Sequence, residues 1–266
     1  MKQFAWQVAT DTKMLLRVPI SMFFTVIFPT AMLVIIVTSY GNETIGPNLN
    51  LADKYLLIAA GMGVAPLTLI TLPTWIANSY ENDYLMRLRY FHVSVTRVAL
   101  SNALAHCLVA LMGILLNFVV GLLVYRIHIP APGYVLSYIA ELFLAIIAMM
   151  SLGAFLGFVF RRAAVVLPLG LILMFVLYML CGVFGNYDGL PAPLKTASAW
   201  IPLKYVMIDA FNIWQGTAHI SLRAIGVSLL FLSVFGTGAA LVAHRAATSR
   251  IHTHYKPKRA LGKEVQ

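Results

Sequence analysis

The sequence predicts an all-α polytopic membrane protein with six transmembrane helices, and its charge pattern and composition indicate this class. Five stretches of 21 residues or more contain no Asp, Glu, Lys or Arg, and a sixth is interrupted only by Glu141. Hydrophobic residues make up 61% of the chain and charged residues 11%, whereas about a quarter of a soluble protein is charged. Because about 20 apolar residues cross a hydrocarbon core of ~30 Å, each stretch is long enough for one span. The predicted spans are 19–40, 55–78, 101–125, 134–160, 163–184 and 222–243.

The distribution of basic residues predicts that both termini face the cytoplasm. Of the 19 Lys and Arg residues, 14 fall on the side of the termini and five on the other side, and cytoplasmic segments carry the excess of positive charge. Since residues that flank spans explain the net charge of +10, this charge does not predict nucleic-acid binding. Residues 1–17 carry charges throughout and no cleavage site follows, so we predict no removable signal peptide.

We predict a single membrane domain over residues 1–266, with three parts. Residues 1–18 form an amphipathic helix at the cytoplasmic interface, with Trp6 at headgroup depth; a short mobile leader is the alternative. Residues 19–243 form the six-span bundle, and residues 244–266 form a basic, partly disordered cytoplasmic tail. Neighbouring helices usually compensate for a proline inside a span, and such prolines act as packing kinks or as hinges. They are Pro29, Pro66, Pro73 and Pro168.

The loop between spans 2 and 3 is the first candidate functional segment. No Pro or Gly occurs in residues 79–100, and residues 81–89 place acidic residues before basic ones. This order suits the dipole of a short amphipathic helix, and charges on one face with aromatics on another suit docking into a groove of a partner. A row of membrane anchors with a solvated turn fits the pattern equally well. The candidate docking residues are Glu81, Asp83, Tyr84, Leu85, Arg87, Leu88 and Arg89.

The segment between spans 5 and 6 is the second candidate. Residues 182–216 mix turn-forming residues with apolar and interfacial aromatic residues. This mixture predicts two short re-entrant helices that dip into the outer leaflet without crossing it. A plain surface loop is the alternative, and the apolar content argues against it. The residues singled out are Leu190, Pro191, Trp200, Pro202, Tyr205 and Asp209.

Glu141 is the third candidate, as an intramembrane polar site. An acidic residue inside an apolar span marks a functional site by default. Glu141 lies about two turns from the outer end of span 4. It could snorkel to the surface, pair with Arg126 or His128, or be neutral.

Sequence motifs for catalysis are absent. The chain has no GxxxxGK[ST] phosphate loop, no HExxH metal motif and no GxSxG nucleophile elbow. The ligand-like pair His252 and His254 has no Cys or carboxylate nearby. We therefore predict a transport protein rather than an enzyme, with no metal site and no cofactor bound by this chain.

These segments together resemble the membrane-spanning subunit of ABC-2 type ABC transporters. The amphipathic leader resembles the family's interfacial elbow helix, and YENDYLMRLRYFHVSVTRVALSNAL resembles the loop after its second span. In this loop the family often has Gly-Thr soon after the Glu and a Pro before the Ser, where this chain has Asn82-Asp83-Tyr84 and His92-Val93-Ser94. In the segment after span 5, Asn186 stands near the expected first Pro. The segment after span 5 resembles the family pattern LP…P-x-x-Y-x-x-D, which is matched by Leu190, Pro191, Pro202, Tyr205 and Asp209.

The resemblance implies how such a subunit works. The permease would dimerise, and each copy would bind a cytoplasmic ATPase subunit that carries the ATP and Mg²⁺. Residues 81–89 would act as the coupling helix, seated in a groove of that ATPase, and the leader would add a second contact. Spans 1, 2 and 5 would line the dimer interface and the substrate path, and the outer segment would cap it.

The partners and the cargo follow from the same resemblance. We expect a second, identical permease copy rather than a paralogue, membrane lipids as further partners, and a multi-pass location in the bacterial plasma (inner) membrane. The apolar spans suit export of a hydrophobic or amphipathic substrate, whether a drug, a peptide or a lipid-linked molecule. The alternative is an ion-coupled secondary transporter, a class that usually shows internal repeats and coupled intramembrane acids.

Overall fold

A computed structural model describes residues 2–46, 49–91, 93–184 and 187–254 of the chain. Within these residues six helices are long and apolar enough to cross a membrane, which confirms the predicted fold class. The six spans are Pro19–Tyr40, Leu51–Glu81, Arg97–Tyr125, Pro132–Phe160, Ala163–Leu180 and Leu222–Arg245. The described shorter elements are the helices Lys2–Leu15, Tyr84–Tyr90, Tyr187–Gly189 and Ala192–Ser198, a helix over 202–214, and the antiparallel strands Thr44–Gly46 and Leu49–Asn50.

Spans 2 and 3 begin earlier than predicted, because polar residues cap their first turns. Span 2 begins at Leu51 rather than at residue 55, after a capping box in which the Asp53 carboxylate accepts the Asn50 amide at 2.9 Å. The helix of span 3 begins at Val95 rather than at residue 101, and the Ser94 hydroxyl caps it by accepting the Arg97 amide.

Span 5 ends earlier than predicted, and the helix of span 6 ends later. Span 5 ends at Leu180 rather than at residue 184, since Gly182 has a left-handed φ of 69° that ends a helix. The helix of span 6 continues through His254, beyond its predicted end at residue 243, and the partly disordered tail over 244–266 stays a prediction. Residues 244–254 include Ala and Arg, which favour helix, and they contain no Gly or Pro. Residues 255–266 lie outside the described residues.

The N-terminal helix Lys2–Leu15 confirms the helix predicted at the start of the chain, and it packs along span 3. The Ser101 hydroxyl of span 3 donates to the Asp11 carboxylate at 2.6 Å, and Leu15 is buried in the core. The side chain of Trp6 is 73% exposed, as expected for a residue at headgroup depth. The location of this helix at the membrane interface stays a prediction.

Span 2 lies at the centre of the bundle. It contacts spans 1, 3, 4 and 5 and the helix over 202–214, and nearly all of its apolar length is buried within the chain. Spans 1, 5 and 6 are much more exposed. Span 2 therefore forms the interior of one chain and offers little surface to a second copy, which corrects the expectation that it lines a dimer interface.

Prolines inside the spans leave backbone carbonyls without their usual helical donor, and neighbouring spans cover these carbonyls. Pro66 has no amide hydrogen to donate to the carbonyl of Met62, four residues earlier. The hydroxyl of Tyr178, in span 5, donates to that oxygen at 2.6 Å. A side chain of one span thus replaces a hydrogen bond that another span lacks.

Glycines cover the corresponding carbonyl of span 1. Pro29 cannot donate to the carbonyl of Thr25. Gly63 of span 2 and Gly113 of span 3 approach this oxygen so closely that a Cβ atom on them would lie 3.0 and 3.1 Å away, respectively. Small residues allow such close backbone approach between membrane helices.

The second proline of span 2 is covered in the same way. Pro73 cannot donate to the carbonyl of Leu69, and Gly170 of span 5 lies against that oxygen. Gly153 of span 4 lies against the neighbouring carbonyl of Thr68. The π-helical segment Leu67–Thr71 is thereby enclosed by two spans, so these prolines are features of the packing between helices.

Removing the Tyr178 hydroxyl will destabilise the bundle unless Pro66 is also replaced. In Tyr178→Phe the buried Met62 carbonyl has no donor, which costs about 1–3 kcal/mol. The added change Pro66→Ala supplies an amide that can donate to Met62, so we expect it to recover most of the loss. Thermal unfolding of the wild type, both single variants and the double variant in mild detergent measures this coupling. Equal losses from Tyr178→Phe with and without Pro66→Ala would contradict the assigned hydrogen bond.

Candidate functional site

The inner candidate segment differs from the single helix predicted over residues 81–89. Span 2 ends at Glu81, and the short helix Tyr84–Tyr90 follows a turn at Asn82 and Asp83. Asp83 has a left-handed φ of 51°, a conformation that Asp and Asn adopt more readily than most residues. The acidic residues therefore precede the short helix and do not form its first turn.

The side chains of this segment form one exposed surface, which we call the inner surface. Its exposed members include Glu81, Asp83, Tyr84 and Arg87, and Leu88 is half-buried. The rings of Tyr90 and Phe91, 83% and 72% exposed, meet edge to face with their centroids 5.8 Å apart. The side chains of Leu85 and Arg89 lie outside the described part of the chain. The inner surface thus exposes acidic, basic and aromatic groups.

Contacts to span 4 fix Tyr80, the residue directly before the inner surface. The ring of Tyr80 packs edge to face on Phe158 with centroids 6.0 Å apart, and the Arg161 guanidinium lies 5.2 Å from the centre of the Tyr80 ring. Partial burial raises the pKa of Tyr84, and the negative charge of Asp11 adds to the rise. The N-terminal helix therefore lies close to the inner surface.

The outer candidate segment contains two short helices, as predicted, and is not a plain surface loop. The first is Ala192–Ser198, and the second, over 202–214, packs between spans 2 and 4. In this position Met207 lies against Gly61 of span 2, and Trp214 packs edge to face on Tyr138 of span 4. The buried residues of the second helix are Pro202, Leu203, Tyr205, Val206, Met207, Ala210, Ile213 and Trp214. Its depth in the membrane stays a prediction.

The residues singled out in the outer segment take different structural positions. Pro191 is the N-cap residue of the first helix, and Pro202 is the first residue of the second, where a missing amide costs little. The Tyr205 hydroxyl donates to the Ala199 carbonyl at 2.8 Å and so ties the second helix to the turn before it. Outside the two helices lie the half-buried Leu190 and the exposed Trp200.

Three charged residues come together near the outer end of span 4. The Lys204 ammonium donates to both carboxylate oxygens of Asp209 at 2.7 Å. Glu141 is only 3% exposed, its Oε2 atom has no hydrogen-bond partner, and the charges of Asp209 and Lys204 act on it. Glu141 therefore does not snorkel to the surface, and it lies beside an ion pair that is already formed.

The partners predicted for Glu141 are located elsewhere. Among the described residues, Glu141 forms no ion pair with Arg126 or with His128. The backbone amide of His128 donates to the Asp53 carboxylate at 2.9 Å instead. Span 4 thus carries a buried acid whose charged neighbours come from the second outer helix.

Asp209, the acid of the Lys204–Asp209 ion pair, borders a cavity of about 280 Å³ on the outer side of the bundle. The Lys54 ammonium lies 5.4 Å from the centre of the Phe211 ring, in reach of a cation–π interaction. Both signs of charge and an aromatic wall therefore face this outer cavity. In the described part of the chain, no group of three or more His, Cys, Asp or Glu residues could hold a metal ion. The charged and polar lining residues include Lys54, Tyr55, Asp188, Asp209 and Asn212.

Asp53 is a buried polar centre that does not stand out in the sequence. Its carboxylate is fully buried and accepts the amides of Asn50 and His128 at 2.9 Å and the Trp214 indole N–H at 3.4 Å. It joins the start of span 2, the connection between spans 3 and 4, and the second outer helix. The Asn-x-x-Asp spacing indicates the first of these bonds as a helix cap, but the other two donors come from distant parts of the chain.

Comparison with known proteins gives one match. The sequence model of the ABC-2 type transporter family matches residues 2–213, from the N-terminal helix to the second outer helix. No curated protein and no solved structure is significantly similar to the chain. The matched region includes both the inner surface and the outer cavity.

Proposed function

This chain belongs to the ABC-2 type transporter family, and we propose that it is the permease subunit of an ATP-driven exporter in the bacterial plasma membrane. Its sequence has no phosphate-binding loop, so ATP and Mg²⁺ would bind to a separate cytoplasmic ATPase subunit. A second, identical copy of the chain would complete the transport path. The predominantly apolar spans suit a hydrophobic or amphipathic substrate, such as a drug, a peptide or a lipid-linked molecule.

The inner surface is the observation that supports the ATPase partner. Exposed aromatic side chains rimmed by charges are typical of protein interfaces, and the inner surface exposes Tyr90 and Phe91 together with Arg87 and Glu81. The helix Tyr84–Tyr90 is joined to span 2 by a turn of only two residues. Since span 2 contacts four other spans, a force applied to this helix would reach the centre of the bundle directly.

Spans 1 and 5 provide the surface that we assign to the second copy. They meet at one aromatic contact, in which the ring centroids of Phe24 and Phe175 are 6.4 Å apart. Neither span is deeply buried within the chain, so their outer faces are open to a partner. The apolar side chains that they expose include Phe23, Ile27, Ile35, Ile172, Val176 and Met179.

We expect charge changes on the inner surface to weaken ATPase binding and to leave the fold intact. Glu81→Ala and Arg87→Ala each remove one exposed charge, and Arg87→Glu reverses one. Loss of a charged pair at an interface costs about 2 kcal/mol or more, so recovery of the ATPase subunit should fall by at least about tenfold with Arg87→Glu. Co-purification from native membranes, with an assay of ATP hydrolysis, measures the effect.

Arg162→Ala is the matched control, because Arg162 is an exposed arginine at the same side of the bundle but outside the inner surface. It should recover the ATPase subunit as the wild type does. Equal recovery with every variant would reject the inner surface as the coupling site and leave the permease assignment in place. Transport that follows an ion gradient, with no ATPase recovered even after cross-linking, would instead support a secondary transporter.

A further inference from the structure

We propose that span 6 carries a binding site for one anionic phospholipid, with the lipid phosphate on Arg223 and an acyl chain in a groove beside Gly226. The groove has a volume of about 200 Å³ and lies between span 6 and the turn at Ala199 and Trp200. It is separate from the outer cavity, which is lined by span 2, by Gly182, Tyr187 and Asp188 after span 5, and by the second outer helix.

The groove exists because one position on a helix face has no side chain. The residues that line it from span 6 recur at positions i, i+3, i+4 and i+7, and therefore share one face of the helix. A Cβ atom on Gly226 would meet no other atom within 4 Å, so the space beside it is free of protein. These residues are Arg223, Gly226, Val227 and Leu230.

The opposite wall of the groove is held in position. The Ala199 carbonyl accepts the Tyr205 hydroxyl at 2.8 Å, and Tyr205 packs with Ala224 and Val227 in a small cluster of buried residues. Trp200 remains 57% exposed at the edge of the groove. The groove is therefore a built feature of the fold and does not depend on a mobile side chain.

The chemistry at the mouth of the groove favours a phosphate. Arg223 is exposed and is the second residue of the helix Leu222–His254. This position places its guanidinium at the end of span 6, at the boundary between the hydrocarbon core and the headgroups of the membrane. Among the described residues it forms no ion pair. A guanidinium binds phosphate oxygens in bidentate geometry, and Trp residues such as Trp200 favour the same interfacial depth.

A phospholipid is the occupant because it carries both groups that the groove accepts, at adjacent depths. Its phosphate would meet Arg223, and its acyl chain would pass Gly226 toward Leu230 along an apolar wall. None of the described residues that line the groove is acidic, so no side chain there attracts the choline of a zwitterionic lipid. The site therefore favours a headgroup with a net negative charge.

Native mass spectrometry can count the lipid that the chain retains. The tagged chain is reconstituted in vesicles of equal parts phosphatidylglycerol and phosphatidylcholine, extracted in mild detergent and weighed intact. We expect one retained phosphatidylglycerol per wild-type chain, and loss of at least about tenfold in its occupancy with Arg223→Gln. Gly226→Leu places a side chain in the groove, at a position where a Cβ atom meets no other atom within 4 Å, and should cause a similar loss.

Two matched controls separate the groove from general effects of charge and volume. Arg126→Gln removes an exposed arginine at the same side of the bundle, and Gly133→Leu adds the same side chain at another helical glycine with open space around it. Both should keep the retained lipid. Unchanged occupancy in Arg223→Gln and Gly226→Leu, or equal retention of phosphatidylcholine by the wild type, would overturn the proposal. A lower dimer fraction in Gly226→Leu with lipid occupancy unchanged would also overturn it, because the groove would then belong to a contact with a second copy.

Discussion

Gly153→Ala will destabilise the folded bundle by about 3 kcal/mol, a large effect for one added methyl group. Gly153 of span 4 lies against the carbonyl oxygen of Thr68 in span 2, and a Cβ atom at this position would overlap that oxygen. The oxygen belongs to the segment Leu67–Thr71, which spans 4 and 5 enclose. Spans 2 and 4 must therefore separate to make room for the methyl group.

The local backbone of span 2 explains why this oxygen is open to span 4. The Leu72 amide donates to Leu67, and Pro73 has no amide hydrogen, so neither of these residues donates to Thr68. The close approach of Gly153 covers the oxygen with backbone atoms, in a contact of the kind that Cα–H groups make between packed helices.

Unfolding in detergent, by heat and by added dodecyl sulfate, measures the effect of Gly153→Ala. Gly133→Ala is the control, because Gly133 is also a helical glycine of span 4 but has open space around it. The control should change the free energy of unfolding by less than about 1 kcal/mol. If the two variants unfold alike, the close approach of spans 2 and 4 is wrong.

Asp53→Ala is expected to have a comparable effect, because it removes the buried carboxylate that accepts three N–H donors. The donors are the amides of Asn50 and His128 and the indole of Trp214. An unsatisfied buried donor costs about 1–3 kcal/mol, which applies in full to the buried Trp214 indole. The two amides are only partly buried, so water can serve them in part, and we expect a total loss of about 3 kcal/mol. Thermal unfolding in mild detergent measures it.

Asp53→Asn should fall between the wild type and Asp53→Ala, since one amide oxygen can serve some of the three donors. Glu43→Ala is the control: it removes an exposed acid from the same outer connection and should unfold as the wild type does. Equal stability of Asp53→Ala and Glu43→Ala would show that the carboxylate does not join these elements.

Most of the fold could be predicted from the sequence, because the length of an uncharged apolar run determines a span. Span 4 was predicted over 134–160 and is observed over Pro132–Phe160, since a proline and an arginine mark its ends. The first turn of span 2 was missed, because Asp53 and Lys54 make it look like a loop. Its helical structure comes from capping hydrogen bonds, which hydropathy does not register.

The candidate sites were harder to predict, because they depend on contacts between distant residues. Glu141 stands out as an acid in an apolar span, but the sequence does not show that Lys204 and Asp209 are its charged neighbours. The break in the inner segment depends on a left-handed conformation of Asp83. The residue type permits this conformation but does not require it.

The carbonyls freed by the prolines of span 2 also impose an order on the biosynthesis of the protein. They belong to Met62, Thr68 and Leu69. Their partners are translated much later and are Gly153, Gly170 and Tyr178. Span 2 therefore leaves the ribosome with backbone oxygens uncovered in a medium that has no water to solvate them. It is therefore expected to reach its final stability only when span 5 has been inserted.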